Sequence, residues 1–174
     1  MPTDAVILRL EKVTEQHADS LYSFISNPLL YEYLEDSVPS LIEIRRKFQF
    51  AALEKSPDNP TMIWLKWVAI NAQNQYVGIV EIGIFEDKYA EIGFMTFVGY
   101  QNQGYAHDYC SLAIAETQRR FHLLSLHASV NQHNLASRKV LERLGFKLYK
   151  VNHNAEFIKG KLSDELIYRL NFSE

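Results

Sequence analysis

The sequence has little cysteine, glycine and proline, and no long apolar run. Its 174 residues include one cysteine, Cys110, with 7 glycines and 5 prolines. A single cysteine cannot form an intramolecular disulfide, and it excludes a zinc site built from several thiolates. So few glycines and prolines exclude a collagen-like or linker-rich chain. Because no segment approaches the roughly 18 apolar residues of a membrane-spanning helix, we expect no membrane partner.

Neither sign of charge dominates the composition. The 18 Lys and Arg residues face 21 Asp and Glu residues, for a net charge of -3, so we expect no nucleic-acid partner. The first residues lack a basic segment followed by an apolar core, and we therefore expect no secretory signal and a cytoplasmic location. The six histidines show no spacing typical of a metal site. With 47% hydrophobic residues, the length predicts one domain over residues 1–174.

Hydrophobic periodicity alternates along the chain between that of strands and that of helices. It predicts helices over residues 15–26, 41–54, 105–121 and 135–144, and strands over 6–10, 64–70, 76–85, 90–98, 124–130, 146–151 and 165–172. Ser40 and Glu43 form a capping box for the second helix, and Gly145 ends the fourth. The resulting order, β-α-α-β-β-β-α-β-α-β-β, predicts an α/β domain (α+β) with a mixed sheet.

A glycine-containing loop, GYQNQGYA at residues 99–106, joins a predicted strand to a predicted helix. The free N–H groups of a first helical turn and the helix dipole make such a junction an anion site. Gly104 and Ala106 carry little or no side chain, so a phosphate could approach the backbone. The loop matches neither GxGxxG nor GxxxxGK[ST], which argues against dinucleotide and nucleoside-triphosphate cradles. On this string alone, an ordinary helix start with a turn glycine remains the alternative.

A second pattern lies about one helix downstream. Asn134 is followed by Ser137 and by the segment Val140-Leu-Glu-Arg-Leu-Gly-Phe146. With the loop Gln101-Asn-Gln-Gly104-Tyr-Ala106 and the strand segment Glu91-Ile-Gly-Phe94, the sequence resembles the GNAT superfamily of acyl-CoA-dependent N-acetyltransferases. Within it, the sequence is most similar to the ribosomal-protein N-terminal acetyltransferase (Rim) type. The resemblance covers nearly the whole chain, and further similar segments lie at residues 25–31 and 164–170.

The resemblance implies the GNAT fold, in which helices flank a central, mostly antiparallel sheet and strands 4 and 5 splay apart. It also implies acetyl-CoA as co-substrate, with the pantetheine arm lying between those two strands. Backbone groups of Thr96 and Val98 would hold this arm, and Asn134 would contact it. The pyrophosphate would be bound by backbone N–H groups of the loop residues Gln101, Asn102, Gln103, Gly104, Tyr105 and Ala106.

The implied reaction is attack of an amine on a thioester, in which the amine loses a proton and the leaving thiolate gains one. Glu91 matches the place where related enzymes carry a general base, with Glu81 in reserve; a carboxylate paired with a cross-strand cation is the alternative. Many relatives carry a tyrosine acid seven residues after the asparagine, where this chain has Leu141. This departure matches the Rim-type pattern, in which a serine is the proposed donor, so the resemblance implies Ser137, near the thioester sulfur, as the acid. The alternative is a serine that bonds its own helix backbone.

The acceptor implied by the resemblance is a primary amine, on a protein or peptide N-terminus or on a small molecule. Residues that could line its pocket are aromatic or acidic: Tyr31, Glu32, Tyr33, Glu35, Trp67 and Tyr149. The alternatives are a core position for the tyrosines and Trp67 and a solvated surface for Glu32 and Glu35. The implied direct transfer uses no metal, and either a monomer or a homodimer is consistent with the sequence. Two alternative functions remain: a non-catalytic acyl-CoA-binding or regulatory module on the same fold, and an α/β module for another phosphorylated ligand.

Overall fold

In a computed structural model that describes residues 8–173, four α-helices and seven β-strands follow one another in the predicted order. The helices are α1 (Glu15–Ile25), α2 (Leu41–Ala52), α3 (Tyr105–Phe121) and α4 (Leu135–Arg143). The strands are β1 (Arg9–Lys12), β2 (Ile63–Ile70), β3 (Tyr76–Ile84), β4 (Ala90–Thr96), β5 (Ser125–Asn131), β6 (Lys147–Ile158) and β7 (Lys161–Asn171). A short 3-10 helix, which the sequence did not predict, spans Pro28–Tyr31.

The strands form one mixed sheet in the order β1-β2-β3-β4-β5-β7-β6. Neighbouring strands are antiparallel, except for the parallel pair β4 and β5. β4 pairs with β3 continuously, from Gly78↔Thr96 to Ile84↔Ala90. By contrast, β4 and β5 share a single register pair, Glu91↔His127, and separate toward their carboxyl ends. The predicted mixed sheet with splayed fourth and fifth strands is therefore confirmed.

Local signals account for the helix ends that the sequence predicted correctly. The Glu43 N–H donates to Ser40 Oγ at 3.2 Å, and the Ser40 N–H donates to Glu43 Oε2 at 2.8 Å, which completes the capping box of α2. Gly145 follows α4 with φ +96°. The N–H of Phe146 then reaches back to the carbonyl of Leu141 at 3.0 Å, as in a Schellman motif.

Strand boundaries differ more from the predictions. β1 begins at Arg9 and not at residue 6, and residues 6–7 lie outside the described residues. The predicted strands 146–151 and 165–172 overlap the longer β6 and β7, and residues 146 and 172 lie just outside them. Lys159 and Gly160 close this hairpin, with φ values of +51° and +76°. Two positive φ values fit the twist of a tight hairpin, but a lysine gives only a weak sequence signal for such a turn.

Two apolar clusters cover the two faces of the sheet. α3 packs on one face, where Tyr109 and Cys110 are fully buried with Leu126. α1 and α2 pack on the other face through Leu21 and Phe48. Burial raises the pKa of the Cys110 thiol well above its usual value, which agrees with the buried, unreactive role expected of such a residue. Among residues 8–173, no helix is long and apolar enough to cross a membrane.

Glu54, just after α2, forms hydrogen bonds with side chains of β1 and α3. Its Oε1 accepts hydrogen bonds from Lys12 Nζ at 3.0 Å and Arg120 Nη1 at 2.9 Å, and its Oε2 accepts from Arg120 Nη2 at 2.9 Å. The hydrogen bonds from Arg120, followed by those from Lys12, lower the pKa of Glu54 to about 2. The carboxylate therefore contributes to stability only while it is charged.

We expect Glu54→Gln to reduce the free energy of unfolding at pH 7 by about 1 kcal/mol, the upper end for partly exposed ion pairs. The loss should shrink as the pH falls from about 4.5 toward 2, because wild-type Glu54 then becomes protonated. Urea unfolding at pH 7 and pH 3 measures both values. Glu116→Gln, which removes only an exposed pair with Arg119, is the control and should unfold like wild type. An equal loss at both pH values would contradict the ionic explanation.

Candidate active site

The gap between β4 and β5 opens into a cleft of about 680 Å³. Residues 92–95 of β4 and 128–131 of β5 line its two sides, and the segment that joins α1 to α2 contributes further walls. Beyond Glu91, the described part of β4 makes no register pair with β5. Its backbone groups on that side are therefore available to an extended ligand, as they are at the edge of a sheet.

The start of α3 lies directly after β4 and a turn. Gly104 precedes the helix with φ +81°, and no side chain caps the first turn, so its N–H groups lack intrahelical partners. A methyl group added at Gly104 would meet no atom within 4 Å beyond its chain neighbours. These features fit a bound phosphate, because the donors are free and the space in front of them is open.

The predicted loop residues have unequal roles in this turn. Gln101 Nε2 donates to the Thr96 carbonyl at 3.2 Å, and Gln103 Nε2 donates to the Gly99 carbonyl at 3.3 Å. The Gln101 side chain thus holds the loop against the end of β4, and the Gln103 side chain closes the loop on itself. Asn102 adopts φ +61°. The Thr96 hydroxyl is 2.7 Å from that of Tyr109. The remaining predicted contacts lie on either side: Val98 follows the end of β4, and the partly buried side chains of Tyr105 and Ala106 pack on the core.

On the opposite wall, Asn134 and Ser137 both line the cleft. Asn134 is the N-cap of α4, and its Oδ1 accepts the Ser137 N–H at 3.2 Å. Within residues 8–173, the Ser137 hydroxyl makes no hydrogen bond, although its backbone does. Leu141, one turn further along, also lines the cleft. Ser137 thus places a hydroxyl group, which can donate a hydrogen bond, at the wall of the cleft, whereas the side chain of Leu141 carries no polar atom.

The two carboxylates considered from the sequence occupy different places. Glu81 lines the cleft, and its Oε2 accepts hydrogen bonds from Trp64 Nε1 at 3.2 Å and Lys66 Nζ at 3.0 Å. Glu91 lies where β4 and β5 are still paired, and it is not among the residues that line the cleft. Burial, and then the nearby Glu91, raise the pKa of Tyr89 to about 12. The structure therefore brings Glu81, and not Glu91, into the cleft with Ser137.

A family model for the acetyltransferase (GNAT) domain matches residues 8–147. The chain belongs to the GNAT acetyltransferase family. It is therefore an acyltransferase, and the family and enzyme class predicted from the sequence are confirmed. A search of the curated proteins finds no match.

Solved GNAT structures are similar over nearly the whole chain. An acetyltransferase from Salmonella typhimurium that modifies the N-terminal serine of 50S ribosomal protein L7/L12 is 22% identical, with a TM-score of 0.81 and 97% of each chain covered. Spermidine N-acetyltransferase from Vibrio cholerae, with CoA and spermine, is 19% identical; its TM-score is 0.80, covering 94% of this chain and 95% of that one. RimL, a ribosomal L7/L12 α-N-protein acetyltransferase with coenzyme A, is 23% identical; its TM-score is 0.82, covering 98% of this chain and 96% of that one. These likenesses show the shared fold.

The sequence analysis of this GNAT chain missed another carboxylate that lines the cleft, Glu156 on β6. Its Oε1 accepts a hydrogen bond from Asn131 Nδ2 at 3.0 Å. Burial raises the pKa of Glu156, and the charges of Glu165 and Glu35 raise it further, while Asn131 lowers it. A carboxyl group with a raised pKa is a candidate for proton transfer near neutral pH. Predicting from the sequence that Glu156 lies on a strand would have required recognition of the hairpin turn at Lys159 and Gly160.

The predicted acceptor-lining residues are only partly in the cleft. Tyr31 and Tyr33 line it. The Tyr31 hydroxyl donates to the Ile25 carbonyl at 2.8 Å, and burial raises its pKa to about 12. Trp67 does not line the cleft, because its side chain is buried on the α3 face of the sheet, which is the core position given as its alternative. Glu35 is not among the residues that line the cleft, and its Oε2 accepts the N–H of Phe157 on β6 at 3.1 Å.

Two other predicted residues, Glu32 and Tyr149, are likewise absent from the residues that line the cleft. Tyr149 instead lies on β6 against His127, with the guanidinium of Arg169 5.1 Å from its ring centre. Within residues 8–173, no three His, Cys, Asp or Glu side chains are grouped so as to hold a metal ion.

Proposed function

We propose that this GNAT chain is an acetyl-CoA-dependent N-acetyltransferase, one domain over residues 1–174, in which a primary amine attacks the thioester directly. One observation carries the proposal: β4 and β5 pair only at Glu91↔His127 and then part. The cleft that opens between them has Ser137 on its wall. An uncapped helix start, suited to an anion, follows β4. The two neighbours named for a ribosomal-protein N-terminus and for spermidine support an amine acceptor.

The residues present offer the co-substrate an uncapped helix start, an unpaired strand edge and an asparagine in the wall of the cleft. The N–H groups of Gln101–Ala106 would bind the pyrophosphate. The edge of β4 beyond Glu91 that β5 leaves unpaired, with backbone groups of Thr96 and Val98 after it and Asn134 opposite, would bind the pantetheine arm. Acetyl-CoA supplies the activated acyl group. The chain's own residues hold it, exclude water from the cleft and move two protons.

We assign the two proton transfers to residues that line the cleft. Ser137 donates a proton to the leaving sulfur and regains one from the positively charged nitrogen that forms when the amine attacks, since its hydroxyl is not used by the helix. Glu156 takes the proton of the amine, because burial and two like charges make its carboxylate a better base. Glu81 is less suited, since its protonation would leave the buried ammonium of Lys66 without its partner. Glu91 stays the prediction from the family resemblance and is tested with the others.

Acetyl-CoA should raise the melting temperature of the protein in a thermal-shift assay, and nucleoside triphosphates should not. With acetyl-CoA and a panel of N-terminal peptides, polyamines and amino acids, at least one amine should release free CoA faster than the protein-free reaction. A rise in melting temperature without CoA release on any amine would favour the non-catalytic acyl-CoA-binding alternative. A rise in melting temperature with nucleotides but not with acetyl-CoA would contradict acetyl-CoA as the co-substrate.

Gly104→Glu should weaken acetyl-CoA binding by about tenfold or more, because it places bulk and negative charge in front of the free N–H groups of α3. Gly160→Glu is the matched control, since Gly160 also has a positive φ and open space around it but lies in the β6–β7 turn. Calorimetric titration should show wild-type affinity for this control. If both variants bind acetyl-CoA with equal affinity, the loop is not part of the binding site.

Glu156→Gln and Ser137→Ala should each lower kcat by about a hundredfold, the usual lower range for the loss of a general base or acid. Glu91→Gln is the comparison variant, and its kcat should stay within about threefold of wild type, since Glu91 does not line the cleft. CoA release at saturating amine measures the three values. If only Glu91→Gln loses activity, Glu91 is the general base, as the family resemblance predicts.

A further inference from the structure

Asn131, the last residue of β5, connects the two walls of the cleft. Its side chain is 4% exposed, and its amide is fully engaged. The Oδ1 atom accepts the His133 N–H at 3.0 Å, and Nδ2 donates to Ser163 Oγ at 2.8 Å and to Glu156 Oε1 at 3.0 Å. The Asn131 carbonyl accepts the N–H of Asn134, the cap of α4, at 3.0 Å.

These contacts fix which end of the amide faces Glu156. The His133 N–H can only donate, so the amide must present its oxygen there. The NH2 group therefore faces Ser163 and the Glu156 carboxylate. Because an N–H donor binds an ionised carboxylate more strongly than a protonated carboxyl group, this orientation favours the charged form of Glu156.

The backbone of β6 is shaped so that Glu156 reaches this amide. In the β6–β7 pairing, the register passes from Asn152↔Glu165 to Glu156↔Ser163, so β6 contains two extra residues. Asp164 stabilises this bulge, since its Oδ1 accepts the Asn154 N–H at 2.9 Å. β7 lies between β5 and β6 in the sheet. The bulge therefore directs Glu156 past Ser163 toward Asn131, as bulges beside functional sites often re-aim a side chain.

We propose that Asn131 is a positioning residue that orients the Glu156 carboxylate at the wall of the cleft and stabilises its ionised form. The inference rests on the proposed function, in which Glu156 accepts the proton of the amine. Both polar atoms of the Asn131 side chain are engaged with protein partners. Asn131 acts through Glu156, while its backbone fixes the helix that carries Ser137.

The charged groups around Glu156 explain why such a residue is needed. Glu165 on β7 and Glu35 in the segment before α2 both oppose its negative charge, and burial acts in the same direction. The hydrogen bond from Asn131 on β5 acts in the opposite direction. Without it, the carboxyl group would stay protonated at a higher pH and could not accept a proton from the amine there.

Asn131→Asp is the decisive variant, because its carboxylate still accepts the His133 N–H but faces Glu156 with an oxygen in place of the NH2 group. The pKa of Glu156 should rise by at least about one unit, as expected for losing a charge-assisted hydrogen bond and gaining a like charge. Carbon-13 NMR titration of the Glu156 carboxyl group measures this directly. The acid limb of kcat/KM should move up by the same amount, which lowers kcat/KM about tenfold on that limb.

Ser163→Ala is the matched control, since it removes the other partner of the Nδ2 group and leaves the contact with Glu156 intact. Its Glu156 pKa and its acid limb should remain those of wild type. Asn131→Ala provides the second test if Asn131→Asp does not fold, as judged by circular dichroism, and it should raise the same pKa by a smaller amount.

A Glu156 pKa unchanged in the folded Asn131 variants would overturn the positioning role, even if their activity fell. An equal shift in Ser163→Ala would overturn it as well, because the effect would then be general loosening of the strand ends. Wild-type turnover in Glu156→Gln would overturn the proposed base, and the role of Asn131 in catalysis with it. The NMR titration of the Asn131 variants does not depend on turnover. A failure of the proposed base can therefore be distinguished from a failure of the positioning role.

Discussion

The site depends on one constraint, the single register pair that joins the parallel strands β4 and β5 in the middle of the sheet. A sheet interrupted at its centre exposes backbone donors and acceptors that cannot be left unpaired in a dry core. Each strand is kept in place from its outer side, where β3 pairs along β4 and β7 pairs along β5. The gap therefore persists as a rigid cleft, although both faces of the sheet carry packed apolar clusters.

The two helices that follow the parted strands start at the carboxyl ends of a parallel pair, and their differently capped N-termini give them different chemistry. α3 has no side-chain cap, and Gly104 leaves space in front of its first N–H groups, so that end is suited to an anion. At α4, Asn134 already accepts a first-turn N–H. That helix start has less to offer an anion, but it leaves the hydroxyl of Ser137 free beside the cleft.

The parts of the fold that were predictable from the sequence depend on contacts a few residues apart. The Ser40–Glu43 box and the Gly145 cap are such contacts, and the limits of α3 agree with its periodicity. The bulge of β6 and the position of Glu156 depend on pairings made by Asn131 with residues 25 and 32 positions away. The family resemblance located Glu91 by spacing along β4, but the splay and the bulge decide which carboxylates reach the cleft.

The surroundings of Glu156 fit the charge balance of the proposed reaction. At neutral pH an amine acceptor arrives as a cation. The carboxylates of Glu35, Glu156 and Glu165 provide a region of opposite, negative charge. Transfer of the amine proton to Glu156 removes one positive and one negative charge from a partly buried site, which a site of low polarity favours. Asn131 opposes that neutralisation before the amine binds, so that the carboxylate is present to receive it. The balance between burial and this one hydrogen bond thus sets the pH above which Glu156 is ready to act as a base.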